Sequence, residues 1–156
     1  MEKRRLQLAD QEDEVLHAKV RLEDALRSYG KYEEAEPLYQ SCLAAQKETL
    51  GDKHPFTLNS MNNLASLLDV MGKRDEAEPL YRSWLDAMIE TLGDKHPSTL
   101  NSMYNLVLLL LDQKQFEEAE AVCLQCVAGN KAAYGDSHSE TQRAENLLRR
   151  SQRKGK

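Results

Sequence analysis

The run ETLGDKHPFTLNSM at residues 48–61 returns as ETLGDKHPSTLNSM at residues 90–103, 42 residues later. Its central motif GDKHP recurs a third time, in the looser form GDSHS, at residues 135–139. A histidine and an aspartate at fixed spacing are compatible with a metal site or a hydrolytic site. They are equally compatible with the connector of a structural repeat. The extent of the repetition decides between these readings.

The repetition covers most of the chain. Residues 30–71 and 72–113 are identical at 28 of 42 positions. The segment KYEEAEPLY at 31–39 returns as KRDEAEPLY at 73–81 and, more loosely, as QFEEAEAVC at 115–123. Self-similarity at a fixed period is the signature of a repeat array, so the chain is predicted to contain about three and a half units of one kind.

Each repeat is predicted to form two helices. Spacings of three, four and seven residues predict an amphipathic first helix, with the apolar stripe Met61, Leu64, Ala65, Leu67, Leu68 and Met71. Gly72 ends it. A second helix is predicted from Arg74 to Leu92, with Gly93 as the left-handed residue that commonly ends a helix. Its stripe is Ala77, Leu80, Tyr81, Trp84, Leu85 and Met88. One hairpin cannot bury these stripes alone, so successive hairpins must stack.

The chain is therefore predicted to be all-α, with seven helices in a single domain. A segment at 1–14 precedes the repeats or extends the first helix, and a basic tail follows at 151–156. The repeat domain spans 15–150. Its parts are predicted at residues 15–56, 57–98 and 99–138, with a capping helix at 139–150.

The repeats resemble a known family. The signature positions of the tetratricopeptide repeat are occupied by Leu64, Ala65, Leu68, Ala77 and Tyr81. The 42-residue period and the motifs EAEPLY, LGDKHP and NNLA resemble the repeats of kinesin light chains in particular. The resemblance covers about residues 15–150 and implies a TPR-type α-solenoid of antiparallel helix pairs. Trp84 departs from the pattern, because a small residue is usual at its position and Cys42 and Cys126 stand in the equivalent places.

Composition excludes several classes of protein. The chain has 156 residues, of which 40% are apolar and 30% are charged, the balance of a folded protein. A net charge of −5 argues against a general nucleic-acid surface. No apolar run approaches the ~20 residues that a membrane span needs. A secretory signal is not expected and the number of cysteines is odd, so an intracellular, cytoplasmic location is predicted.

The histidines and cysteines are interpreted as structural. His54, His96 and His138 recur at the repeat period, so stacking would separate them by about 10 Å and prevent them from sharing one metal. Pro55 is predicted to open a helix, with His54 extended before it. The CLQC motif at 123–126 lies well inside a predicted helix, where its thiols would face the core. No metal site, catalytic residue or cofactor is predicted.

The inner face carries the stronger functional signal. In tetratricopeptide folds the first helices line a groove that receives a peptide or a partner helix. The pairs Asn59/Asn63 and Asn101/Asn105 are four residues apart, which places each pair on one helix face. Side-chain amides both donate and accept, as the backbone of an extended peptide requires. By the resemblance, the groove residues are His17, Arg21, Asn59, Asn62, Asn63, Ser66, Asn101, Tyr104, Asn105 and Leu108.

The predicted function is a non-catalytic adaptor or scaffold that binds a peptide or helix of a protein partner in this groove. The alternative is a structural subunit held permanently in a larger multiprotein assembly. No small-molecule substrate, nucleic acid or membrane span is expected. The basic end at 149–156 is interpreted as a solvated tail, with a contact to nucleic acid or to an acidic partner as the alternative.

Overall fold

The computed structural model describes residues 2–4, 28 and 30–154. Residues 30–154 form six helices and no strand, which confirms the all-α prediction. The predicted first helix, 15–29, lies outside the described residues except at Ser28. In chain order the helices are α1 (Tyr32–Leu50), α2 (Pro55–Val70), α3 (Arg74–Leu92), α4 (Pro97–Asp112), α5 (Phe116–Tyr134) and α6 (Ser139–Lys154).

The helix lengths reproduce the period. The helices α1, α3 and α5 each have 19 residues, and α2, α4 and α6 each have 16. The helix α3 begins and ends where the sequence predicts. Glutamate or aspartate fills the first turn of α1, α3 and α5, where carboxylates favour the positive end of the helix dipole. Each repeat is therefore a first helix of four turns followed by a longer second helix.

The chain divides into two compact units, before and after the Met71–Gly72 bond, and each is described by itself. In the first unit α1 packs on α2. The buried apolar side chains of this pair are Ala35, Tyr39, Cys42, Leu43, Leu58, Met61, Leu64, Ala65, Leu67 and Leu68. The stripe predicted on α2 is confirmed except at Met71, which is half-buried.

In the second unit α3 packs on α4, α4 on α5, and α5 on α6. Because α4 has a helix on two sides, its segment Leu106–Leu111 is apolar throughout, and every residue in it except Leu108 is buried. Burial of each large aliphatic side chain contributes about 1.5–3 kcal/mol. The stripe predicted on α3 is confirmed except at Leu80, which is half-buried. The α6 helix keeps the 42-residue register at Thr141 and Ala144, both buried like Thr99 and Ser102.

Trp84 fills a position that holds a thiol in the neighbouring repeats. Its side chain is 6% exposed, and its ring centroid lies 6.2 Å from that of Tyr81. Cys42 and Cys126, in the equivalent places of α1 and α5, are 0% and 1% exposed. The same position is thus occupied by an indole in one repeat and by a thiol in the two others.

Each second helix ends at a glycine of the same unusual conformation. Gly51, Gly93 and Gly135 all have φ of 90° with ψ of 165°, 163° and 168°. The sequence predicts a left-handed residue at Gly93. The φ is positive as predicted, but ψ is extended, in a region of backbone space that is nearly restricted to glycine. This geometry turns the chain sharply out of one helix.

The histidine three residues later starts the next helix. His54 and His96 have extended backbones, and their Nδ1 atoms accept hydrogen bonds from the N–H groups of Phe56 (3.2 Å) and Ser98 (3.1 Å). His138 accepts from Glu140 in the same way at 3.2 Å, although a serine replaces the proline after it. The imidazole cap, rather than the proline, is therefore the feature that all three connectors share.

The joint between the two helices of a repeat also needs a positive φ. Gly30 and Gly72 have φ of 72° and 80°, and Lys114 takes the equivalent place with φ of 61°. Lys114 is the one non-glycine residue with positive φ in the described part of the chain. A side chain makes this conformation costly, by about 1–2 kcal/mol.

An ionic cluster connects α3 with α5. Arg82 pairs with Glu78 at 2.6 Å and with Glu118 at 2.7 Å, and Gln115 Nε2 donates to Glu78 at 3.1 Å. Burial alone would raise the pKa of Glu78, but the hydrogen bonds from Arg82 and Gln115 hold it below its ordinary value. The cluster fixes the first turn of α5 against α3.

Replacing Lys114 by glycine should stabilise the chain. Relief of the positive φ outweighs the extra entropy that glycine loses on folding, so we expect a gain of about 0.5–1 kcal/mol. Gly72→Ala at the matching joint should cost about 1 kcal/mol or more. Urea unfolding followed by circular dichroism measures both. A loss of stability in Lys114→Gly would contradict the strain assigned to this joint.

Removal of one imidazole cap should destabilise the array. His96→Ala leaves the Ser98 N–H without its side-chain acceptor, at a cost of about 1 kcal/mol. His96→Asn restores an acceptor that caps helices well, so it should regain most of that loss. Thermal unfolding of the two variants beside the parent chain measures the difference. Equal stability of the alanine and asparagine variants would show that the cap contributes nothing.

Candidate functional site

The groove residues predicted in the first unit lie along one side of α2. Asn59 is exposed, and Asn62, Asn63 and Ser66 are half-buried. The side chains of Asn59, Asn62 and Asn63 make no hydrogen bond within the described part of the chain. Their amides are thus available to donate to and accept from a ligand.

The groove residues predicted in the second unit lie on α4, and two of them border a cavity of about 290 Å³. Asn101 is exposed, and Tyr104 is half-buried. Asn105 and Leu108 are half-buried on the same helix but do not line the cavity. The other walls come from α5 and α6 and from the start of α4: Pro97, Leu100, Cys126, Asn130, Tyr134, Glu140 and Arg143.

Arg143, like Asn130, lines the cavity but was not among the groove residues predicted from the sequence. Its guanidinium carbon lies 4.1 Å from the centroid of the Tyr104 ring, a cation–π contact across α4 and α6. Its Nη1 lies 3.5 Å from Glu140 Oε2. Contact with Tyr104, and to a lesser extent the charge of Glu140, raises the pKa of Arg143 above its ordinary value. Counting one period from Asn101 leads to Arg143, so the repeat spacing contained the signal.

The inner wall of the cavity includes one polar side chain that is held in place. Asn130 is 4% exposed, and its Nδ2 donates to the backbone oxygen of Cys126 at 2.8 Å. Beside it α5 approaches α4 closely, because a Cβ atom on Gly129 would come within 2.4 Å of the Leu100 side chain. A side chain at 129 would push the helices apart at this point. Gly129 therefore helps to set the position of the Asn130 amide.

The cavity combines several kinds of binding group in a small volume. It presents a guanidinium, a carboxylate, two amides and two phenols beside apolar surface from Pro97 and Leu100. Asn101 makes no side-chain hydrogen bond to another described residue. Such a mixture suits the amide backbone and a polar or aromatic side chain of a peptide.

The recurring histidines do not converge. Each uses Nδ1 to cap its own helix, as described above. Among residues 2–4, 28 and 30–154, no three histidine, cysteine, aspartate or glutamate side chains are grouped so that they could hold a metal ion. The GDKHP motif is therefore accounted for by the geometry of the connector.

The CLQC thiols belong to the core. Cys123 and Cys126 are 0% and 1% exposed, and their sulfur atoms donate to the backbone oxygens of Ala144 and Leu100, each at 3.6 Å. Burial raises the pKa of Cys123 to about 12 and that of Cys126 to about 11. A reactive cysteine has a lowered pKa, so both thiols have the character of packing groups.

Two predicted groove residues, His17 and Arg21, lie outside the described residues. Across the part that is described, no helix combines the length and the apolar character needed to cross a membrane.

Comparison with known proteins agrees with this architecture. The family model described as tetratricopeptide repeat matches residues 18–88 and 69–132. No curated protein matches the sequence. Among solved structures, a protein of Podosopora anserina assigned as a kinesin light chain with nearly identical TPR-like repeats is 26% identical, with a TM-score of 0.77. A substituted form of that protein has a TM-score of 0.78 at the same identity. Each covers 90% of this chain, which spans 66% of theirs.

A third similar structure is BtubC (BKLC) of P. vanneervenii. It is 17% identical and has a TM-score of 0.70, covering 92% of this chain and 64% of its own. At this identity the likeness concerns the fold alone. The family match extends over more than half of the sequence and the motifs that it rests on recur at one period. The chain belongs to the tetratricopeptide repeat family, with repeats of the kinesin light chain type.

Proposed function

We propose that the chain is a protein-binding adaptor whose first helices receive an extended peptide of a partner protein. Tetratricopeptide repeats generally mediate protein–protein interactions, and repeats of this type are typically non-catalytic. The observation that carries the proposal is the cavity in the second unit, which Asn101 lines together with the Tyr104–Arg143 contact, with no side-chain hydrogen bond from Asn101 to any described residue. No cofactor or small-molecule substrate enters the proposal.

Each group of the cavity has a role in peptide capture. The Asn101 amide donates to a peptide carbonyl and accepts from the next peptide N–H. Arg143 is held over the Tyr104 ring before any ligand arrives, so little side-chain entropy is lost when it donates to a ligand acceptor. Asn130, already fixed by its bond to Cys126, provides a polar contact at the inner wall.

The α2 amides supply the same chemistry in the first unit. Asn59 stands where Asn101 stands in the next repeat, and Asn63 where Asn105 stands. In this proposal each unit contributes its own set of groove residues to the partner. The first unit contributes Asn59, Asn62, Asn63 and Ser66, and the second contributes Asn101 and Tyr104, with Asn105 and Leu108 further along α4. By the resemblance, His17 and Arg21 are the groove residues expected on the first helix of the first repeat.

Loss of the cavity contacts should strongly weaken partner capture. For the double variant Asn101→Ala/Arg143→Gln we expect capture of the partner from native extract to fall about tenfold or more, since a hydrogen bond to a charged group is lost. Quantitative mass spectrometry of affinity-captured material measures the change. Helical circular dichroism and the melting temperature should stay near those of the parent chain.

A matched control removes the same chemistry elsewhere. Gln125→Ala/Lys95→Gln deletes one exposed amide and one exposed cation in the second unit, outside the cavity. This control should capture the partner as the parent does. Undiminished capture by the cavity variant, or an equal loss in the control, would refute the role of the cavity. Asn59→Ala/Asn63→Ala then tests whether the α2 amides take part as well.

Gel filtration of gently prepared native extract distinguishes the two proposed roles, adaptor and permanent subunit. An adaptor exists partly as a free chain, whereas a permanent subunit elutes only with its assembly. Complete absence of the free chain would favour the structural role.

A further inference from the structure

The last helix differs from the others in charge. Between its ends α6 has five cationic and two acidic side chains, whereas each of the other five described helices has a net negative charge. The chain as a whole has a net charge of −5. Among the six described helices, α6 is therefore the one with a net positive charge.

Four of the cations form one cluster, here called the α6 basic surface: Arg149, Arg150, Arg153 and Lys154. Their spacing of one, four and five residues places them on one side of the helix. All four are exposed, and together with Asn146 they line a hollow of about 310 Å³. Arg149 Nη1 donates to Asn146 Oδ1 at 3.1 Å, and the other three cations pair with no residue in the described part of the chain.

The side of α4 that faces α5 is apolar and buried, whereas the equivalent side of α6 is polar and charged. In α4 the side facing α5 includes Leu100, whose carbonyl accepts from Cys126, and the positions along the same helix face are Met103, Val107 and Leu111, all buried. One period later α6 has Gln142, Glu145, Arg149 and Arg153. An apolar helix stripe such as that of α5 would meet charge here instead of aliphatic side chains, so a partner of opposite charge fits this face better.

Stabilisation of α6 itself explains only part of the cluster. Cations near a helix C-terminus interact favourably with the helix dipole, and Arg153 and Lys154 lie in the last turn. The effect falls off within that turn, and Arg149 and Arg150 precede it. Stabilisation of the helix end therefore does not account for Arg149 and Arg150, which add exposed positive charge on the same side.

We infer that the α6 basic surface docks a short acidic segment of a partner protein. The cluster extends over six residues, or about 8 Å of helix, which matches a few neighbouring carboxylates. Duplex nucleic acid has one charge for about every 1.7 Å and binds best to a broad basic face, whereas the neighbouring helix α5 is acidic. The surface is separate from the cavity, so the inference does not depend on the proposed peptide site.

The test uses the whole chain and a fluorescein-labelled polyglutamate peptide. Anisotropy titration at about 50 mM salt, where exposed charges are weakly screened, measures the dissociation constant. We expect Arg149→Gln/Arg153→Gln/Lys154→Gln to bind about tenfold more weakly, because three exposed charge pairs are lost. The matched control Lys53→Gln/Lys95→Gln/Lys114→Gln has the same net charge and should bind as the parent does.

Other outcomes have definite meanings. Equal weakening in the two triple variants, or no binding by the parent chain, would overturn the inference. Tighter binding of a labelled DNA duplex, or of phosphatidylcholine vesicles containing phosphatidylserine, with loss in the α6 variant, would reassign the surface to nucleic acid or to membrane. The cavity variant Asn101→Ala/Arg143→Gln should bind polyglutamate within about twofold of the parent, because it leaves the four cations in place. This result separates the two proposals.

Discussion

The connector between repeats is the constraint on which the rest of the structure depends. A glycine with φ of 90° and extended ψ ends one helix, and an imidazole three residues later caps the next. Both elements recur at the 42-residue period, so they fix where each second helix ends and where the next first helix begins. The third connector keeps both of them after losing its proline. Helix packing, the core stripes and the cavity all follow from the register that these two residues set.

The fold could be predicted to a large extent from the sequence because its signals are periodic. The 42-residue period predicted the bounds of α3 and the structural role of the GDKHP histidines. The helical spacing of apolar residues predicted the stripes of α2 and α3. The cavity could be predicted only in part. Asn101 and Tyr104 were named from the groove face of α4, but Asn130 and Arg143 join them only through the packing of α4, α5 and α6. The histidine cap also required the atomic position of Nδ1, which no residue pattern specifies.

Equivalent places in the repeats differ chemically where a ligand could reach them. Asn59, Asn101 and Arg143 stand one period apart, and so do Asn62, Tyr104 and Asn146. In contrast, the buried threonines Thr57, Thr99 and Thr141 are the same in all three repeats. The repeat thus keeps this buried threonine while its exposed and half-buried positions vary, and such variation lets an array built from one unit present an asymmetric surface.

Near-identity of adjacent repeats creates a hazard during folding, and Trp84 acts against it. A helix hairpin that paired one period too early or too late would meet an almost identical surface, the usual origin of misassembly in repeat proteins. The indole of Trp84 is far larger than the thiols of Cys42 and Cys126 that occupy the same place in the neighbouring repeats. A slipped pairing would overpack one interface, at a cost of about 1–3 kcal/mol, and leave a void in another. The bulky side chain of Trp84 therefore makes its repeat differ from its neighbours and disfavours a pairing that is shifted by one repeat.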